Sequence, residues 1–248
     1  MSDSRSLDGR RVLVTGGASG IGRAVALGCL ESGATVFSID NNPSIAALAR
    51  SGLFVGVCDV RSYDQVRTMV EEASTTVGGL DAVVNSAGVL RLGPVVDGDV
   101  GEWRLMIETN LLGLLHVTHA ALQYLTKEKH ADLVNVSSLS GRRVAHSQAA
   151  VYTATKAAVH ALTEAMRAEL ASHSIRTTVV APGAVKTSLS EGISDASLRA
   201  EIRGVHDSVG LEPTEVAEVI VNVLAAKPGT LITEIGIQST GHAASGVT

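Results

Sequence analysis

Aromatic side chains are scarce in this chain: its 248 residues include two Phe, three Tyr and one Trp. Stacking on nucleic-acid bases needs more such surface, and a net charge of −5 gives no basic footprint for phosphate backbones or anionic lipid. Cysteine is nearly absent as well. Cys29 and Cys58 alone exclude a disulfide scaffold and suit a reducing, cytoplasmic setting. No window approaches the roughly 18 to 20 apolar residues of a membrane span, and the polar stretch 1–10 lacks the apolar run of a signal peptide. Charged residues make up 18% against 45% hydrophobic, which excludes disorder. Glycine, by contrast, is plentiful at 25 residues. No repeat, low-complexity tract or linker divides the chain, so the expectation is one domain over 1–248.

Short β-branched runs bounded by Gly or Asp recur at 12–14, 35–39, 53–58, 82–84, 133–136 and 175–180. These predict buried parallel strands. Between them, 21–31, 63–76, 100–125 and 152–172 repeat apolar residues every three or four positions, as amphipathic helices do. The alternation predicts an α/β doubly wound parallel sheet, a Rossmann fold of about seven strands with helices on both faces. After Pro182 the pattern breaks into a polar stretch over about 185–211, read as a mobile lid or binding loop. A helix after Pro213 and a strand around 230–235 would close the sheet.

Directly after the first strand comes Thr15-Gly16-Gly17-Ala18-Ser19-Gly20-Ile21-Gly22, running into a helix. Glycines permit a tight turn and close backbone approach, while the helix N-terminus offers N–H groups to a pyrophosphate. Asp40 ends the second strand 18 residues after Gly22, where a carboxylate accepts hydrogen bonds from an adenosine ribose. It also repels a 2′-phosphate, and Asn41 and Asn42 add no cation, so NAD is favoured over NADP. The alternative for Asp40 is a helix N-cap ahead of Pro43. Cys58-Asp59-Val60 and Asn85-Ser86-Ala87-Gly88 follow the third and fourth strands, at the edge where open α/β sheets bind ligands. Taken singly, each also fits an ordinary turn.

Tyr152 and Lys156 lie four residues apart at the start of a helix and so share a face. An isolated pair of this kind is most often a surface pair. Here the helix follows a strand ending Asn135-Val136-Ser137-Ser138, which places the pair at the same edge. A tyrosine working as a base near neutral pH needs its pKa lowered by about 3 units, roughly 4 kcal/mol. One ammonium at about 4 Å in an effective dielectric of about 20 supplies that much.

In order and approximate spacing, Thr15 to Gly22, Asp59, Asn85 to Gly88, Asn110, Ser138, Tyr152, Lys156 and Pro182-Gly183 resemble the short-chain dehydrogenase/reductase family. The resemblance implies that Tyr152 is the general acid/base, that Lys156 lowers its pKa and holds the nicotinamide ribose, and that Ser138 hydrogen-bonds the substrate oxygen. It implies that Asn110 holds a water linking Lys156 to solvent; without the other motifs Asn110 reads instead as a kink or interior polar residue of a long helix. NAD contacts are implied at Gly16, Ser19, Gly20, Ile21, Gly22, Asp40, Asp59, Val60, Asn85, Ala87, Gly88, Tyr152, Lys156, Pro182, Gly183, Val185 and Thr187. The 14-residue step from Ser138 to Tyr152 is one longer than the family commonly shows, which puts the extra residue in the loop 142–148 and leaves Ser140 as a second candidate. A homo-oligomer, tetramer or dimer, is also implied, packed through 100–125 and 152–172.

His116 and His119 sit three apart on a helix without an accompanying Cys or acidic ligand, so no metal site is expected. Arg142 and Arg143 are read as solvated loop residues, with an anionic substrate as the other possibility. Two functions follow: hydride transfer between NAD(H) and a secondary alcohol or ketone, or a non-catalytic NAD-binding regulator or scaffold of the same fold. Asn110, Ser138, Tyr152 and Lys156 together favour the enzyme.

Overall fold

The computed structural model describes residues 6–144 and 146–241, so residues 1–5 of the polar N-terminal stretch and position 145 of the loop 142–148 lie outside the described residues. Seven strands form one parallel sheet: β1 (Arg11–Thr15), β2 (Thr35–Asp40), β3 (Leu53–Val57), β4 (Ala82–Asn85), β5 (Ala131–Val136), β6 (Ile175–Pro182) and β7 (Glu234–Ile237), in the order β3-β2-β1-β4-β5-β6-β7. The reversal between β1 and β4 is the topological switch point of a doubly wound sheet. The helices are α1 (Gly20–Glu31), α2 (Tyr63–Val77), α3 (Val100–Ile107), α4 (Leu114–Leu125), α5 (Ala150–Leu170), α6 (Ala196–Val209) and α7 (Pro213–Leu224).

Alternation along β1 sorts the core into two layers. Val12 and Val14 join Val25 and Ala26 of α1 and Val216 and Ile220 of α7. Leu13 faces the other way, into Val66 of α2, Val117 and Ala121 of α4 and Val159 of α5. The inner strands are thus covered largely by aliphatic side chains small enough to pack on a parallel sheet, which explains how the fold manages with so few aromatics, while the edge strand β3 leaves Phe54 and Val57 exposed.

Four sequence expectations need correction. The span 100–125 is not one regular helix: Glu108–Gly113 forms a π-helical turn between α3 and α4. By length and composition the whole span Val100–Leu125 would also pass for a membrane segment, contrary to the expectation that none does. Half of its apolar window is buried, and Met106, Leu114, Val117 and Leu125 belong to the core. The polar stretch 185–211 is not an irregular loop. It contains the short turn Ser188–Gly192 and then α6, whose Leu198, Ile202, Val205 and Val209 follow helical spacing and whose N-cap Asp195 accepts from Leu198 N at 2.9 Å. Leu198 and Ile193 pack with Leu90, Leu92, Met106 and Tyr152 in a third, smaller core over the carboxyl edge of the sheet. Finally, the last strand runs Glu234–Ile237 rather than over 230–235, because side chains claim the carbonyls before it: Thr178 Oγ1 donates to Ile232 O at 2.6 Å and Arg176 Nη1 to Thr230 O at 3.0 Å.

The opposite, amino edge of the sheet is tied by charge. Arg176 forks onto Asp132 (Nε to Oδ1 2.7 Å, Nη2 to Oδ2 2.9 Å), and Arg10 bridges Asp132 at 2.7 Å and Asp81 at 2.5 Å while donating to Leu224 O at 2.9 Å. Asp132 is almost fully buried, so removing it takes the acidic partner from Arg176 and leaves Arg10 with Asp81 alone. Asp132→Ala is expected to cost about 3 kcal/mol, read as a lower urea midpoint at unchanged slope.

Candidate active site

The turn between β1 and α1 works only with glycine at three positions. Gly16 and Gly20 have φ of +73° and +53°. A Cβ on Gly16 would lie 2.9 Å from Ala87 backbone, and one on Gly22 would lie 2.2 Å from Gly16 O. Thr15 Oγ1 fastens the turn to the next crossover by accepting from Ser86 N (3.0 Å) and Ala87 N (2.9 Å). Ser19, the N-cap of α1, makes no side-chain cap bond, leaving the N–H groups of the first helical turn to face the cleft. This cradle fits the pyrophosphate of a dinucleotide.

A cleft of about 490 Å³ runs along the carboxyl edge. Gly16, Ser19, Gly20, Ile21, Gly22, Asp40, Asp59, Val60, Ala87, Gly88, Pro182, Gly183, Val185 and Thr187 all line it, together with Ser138, Tyr152 and Lys156. Asp40 accepts from Ala18 N (3.0 Å) and Asn42 N (2.8 Å), so its carboxylate is fixed at the cleft rather than capping a helix. The cap is Asn42, which accepts from Ser44 N at 3.0 Å. Asp59 pairs with Arg61 at 2.6 Å, and this hydrogen bond holds its carboxyl below the usual range against the opposing effect of burial.

Two expected residues stand behind the cleft. Asn85 does not line it: its Nδ2 donates to Asn135 Oδ1 (2.9 Å) and Thr118 Oγ1 (3.1 Å), joining β4 to β5 and α4. Asn110, on the π-helical turn, accepts from Val89 N (2.8 Å) and donates to Val89 O (3.0 Å) and Thr155 Oγ1 (3.1 Å). A Cβ on Gly88 would sit 3.4 Å from Asn110 Oδ1 and 3.6 Å from Lys156 Nζ, so both groups border one point of the wall. The kinked, interior position read from the sequence is present, and the widened turn is what presents the Asn110 amide to Val89 and Thr155.

Ser138 lines the cleft and Ser140 does not, despite the longer spacing to Tyr152. Ser138 Oγ accepts from Ser140 N at 3.1 Å and lies 3.4 Å from Pro182 O. Burial pushes the Tyr152 hydroxyl up to about 12, opposed by its hydrogen bond with Ser138, and burial pulls Lys156 down to about 8. This reverses the expected direction for tyrosine. Lys156 Nζ lies 5.9 Å from the Tyr152 ring centroid and donates to Val136 O at 3.1 Å, too far to offset the loss of water around the phenol.

A family model for short chain dehydrogenases matches residues 10–197. The chain belongs to the short-chain dehydrogenase/reductase family. An uncharacterized oxidoreductase of Staphylococcus aureus is 33% identical over 231 residues, 91% of this chain and 95% of that protein. A serine dehydrogenase solved with NADP+ superposes with a TM-score of 0.85 at 25% identity, covering 93% of this chain and 95% of its own. A 3-ketoacyl-(acyl-carrier-protein) reductase from Brucella melitensis, solved with NADH, shares the fold at TM-score 0.84 and 23% identity, with 95% and 99% covered. As a member of this family the chain is an oxidoreductase that takes a nicotinamide cofactor and a small-molecule substrate.

Other parts of this dehydrogenase/reductase cleft were not visible in the sequence. Leu90, Arg91, Leu105, Leu189, Gly192 and His206 also line it. Leu90 and Arg91 follow Gly88 closely, but Leu189 and His206 reach the cleft only because the turn Ser188–Gly192 and α6 fold back to it. His116 Nδ1 donates to Val60 O at 2.9 Å and His119 Nδ1 shares a 2.7 Å hydrogen bond with the Tyr63 hydroxyl. Arg142 is paired with Glu234 and Arg143 donates to Gln238 Oε1 at 2.9 Å. Because a methyl on Gly22 collides with the Gly16 carbonyl, Gly22→Ala is expected to weaken cofactor binding about tenfold or more, measured by fluorescence titration, with circular dichroism checking that the fold persists.

Proposed function

We propose that this enzyme interconverts a secondary alcohol and its ketone with NAD(H). One observation carries the reading: the hydroxyls of Ser138 and Tyr152 and the buried Lys156 share a wall of the same cleft whose other end is the glycine cradle. When bound, the nicotinamide accepts or supplies the hydride at the substrate carbon. The chain's own residues manage the oxygen. Ser138 holds it by hydrogen bond, and Tyr152 gives it a proton in reduction or takes one in oxidation. Lys156 and Asn110 both border the space beside Gly88, where Asn110 would hold a water linking Lys156 to solvent and so reconnect Tyr152 with bulk protons. A scaffold that only bound NAD would have no use for this set.

Asp40 supports NAD over NADP, since a carboxylate held at the cleft by Ala18 N and Asn42 N repels a 2′-phosphate. Exposed alanines at 154, 161, 165 and 168 of α5, with half-exposed Ile107 of α3 and Leu112 of the π-helical turn, support a homodimer or homotetramer. The buried free thiols of Cys29 and Cys58 suit a cytoplasmic setting.

A panel of secondary alcohols and ketones, followed at the reduced-nicotinamide absorbance, tests the reading. Tyr152→Phe is expected to lower kcat by about 10²- to 10⁴-fold with little change in NAD affinity. With the hydroxyl up near 12, its acid form is fully supplied at neutral pH and its base form is rare. Ketone reduction should therefore stay level across neutral pH while alcohol oxidation climbs. Tight NAD binding without turnover of any substrate would favour the scaffold.

Asp40→Ala is expected to raise NADP use relative to NAD. Preference for NADP in the unmodified protein would refute the assignment.

A further inference from the structure

His160 lies on α5 one turn beyond Lys156 and is buried, with 4% of its surface exposed. It belongs to no motif singled out in the sequence. Its Nε2 lies 3.3 Å from the carbonyl oxygen of Ser138, and its Nδ1 lies 3.5 Å from Glu234 Oε1 on β7. The ring is locked in place: a Cβ on Gly141 would come within 2.7 Å of His160 Cδ2, so the turn after Ser138 is pressed flat against it. Glu234 is itself engaged by Arg142, whose Nε donates to Oε1 at 2.9 Å. The charged groups facing the ring are thus Glu234 from β7 and Arg142 from the turn, with Lys156 preceding it on α5.

A neutral imidazole has one N–H and here meets two acceptors. Burial lowers the pKa of His160, with Arg142 assisting and the Ser138 hydrogen bond and Glu234 opposing, which favours the neutral ring with a single N–H to place. The Nδ1 side is the longer contact and remains without a hydrogen bond. Glu234 is already engaged by Arg142, while the Ser138 carbonyl, which accepts from Gly141 N at 2.9 Å, has a second lone pair that meets the ring's Nε2 at 3.3 Å. We propose that His160 is a positioning residue for the reaction, its Nε2–H gripping the Ser138 carbonyl so that the Ser138 hydroxyl stays aimed into the cleft. The Glu234–Arg142 pair supports this by keeping the carboxylate from drawing the proton to Nδ1. The inference rests on the catalytic reading of Ser138.

Glutamine places its amide nitrogen where Nε2 stands, and asparagine places it where Nδ1 stands, so the two amides separate the roles. Using the best alcohol of the panel, H160N and H160L are expected to lose kcat by about tenfold or more while H160Q stays within about threefold, all with unchanged KM for NAD. In an S138A background, H160L should cost nothing further, because its effect runs through a hydroxyl already gone. Nitrogen NMR of the ring is expected to show the Nε2–H tautomer, a readout that needs no substrate. Equal activity of H160N and H160Q, an Nδ1–H ring, or a full additional loss in the S138A background would overturn the proposal. Wild-type turnover by S138A itself would remove the catalytic reading of Ser138 and this inference with it. An inactive S138A beside an unimpaired H160N overturns the inference alone.

Discussion

The hydroxyl of Thr15 accepts two backbone N–H groups from the chain leaving β4, and Gly16 faces that same segment with no room for a side chain. The site depends on this contact. It locks the turn after β1 to the turn after β4 across the point where the sheet reverses direction, and so sets the width of the crevice between them. Gly22 stacked on the Gly16 carbonyl then fixes the entry of α1, whose uncapped first turn points into the crevice. Substituting either glycine by any residue with a Cβ opens the seam, because the obstacles are backbone atoms that cannot rotate away.

Behind the opposite wall the buried polar groups form short chains rather than a scatter. Asn85 reaches Asn135, which reaches Thr163 of α5, and Asn110 reaches Thr155 of the same helix. Helix α5 therefore bonds to β5 and the π-helical turn directly, and to β4 through Asn135, by amides and hydroxyls on the buried side that also bears Tyr152, Lys156 and His160. Buried polar groups are costly unless paired, so such chains admit few alternative arrangements and hold the reactive groups in one geometry. At the far edge the ties are ionic, with Arg10, Arg176, Asp81 and Asp132 joining strand beginnings to the end of α7.

Much of this was legible in the sequence because it depends on local rules. The glycine spacing, the Asp40 carboxylate at a strand end and the four-residue step from Tyr152 to Lys156 are short-range patterns, and the structure brings all of them to one cleft. The α6 pattern of Leu198, Ile202, Val205 and Val209 was also present, but it was hidden by the polar residues between them and by the expectation that a lid is a loop. Asn85 was misplaced because a motif gives a position on the chain, while the direction of a side chain at a strand end follows from the pleat. The π-helical turn left no periodic trace, since one extra residue in a helix is compensated by the packing of Gly113 against Val60.

The sequence by itself determined the parallel sheet, the glycine-rich turn and which side chains are proposed to react, because hydrophobic period, glycine conformation and residue chemistry act over a few positions. Only the tertiary structure decided how those side chains behave. Tyr152 is harder to ionise than its neighbour Lys156 suggested, since desolvation at full burial outweighs a cation nearly 6 Å away. His160 faces Ser138 and Glu234 at once because α5, the turn after β5 and β7 converge there from positions up to 96 residues apart in the chain (234 minus 138), a meeting that no local pattern encodes.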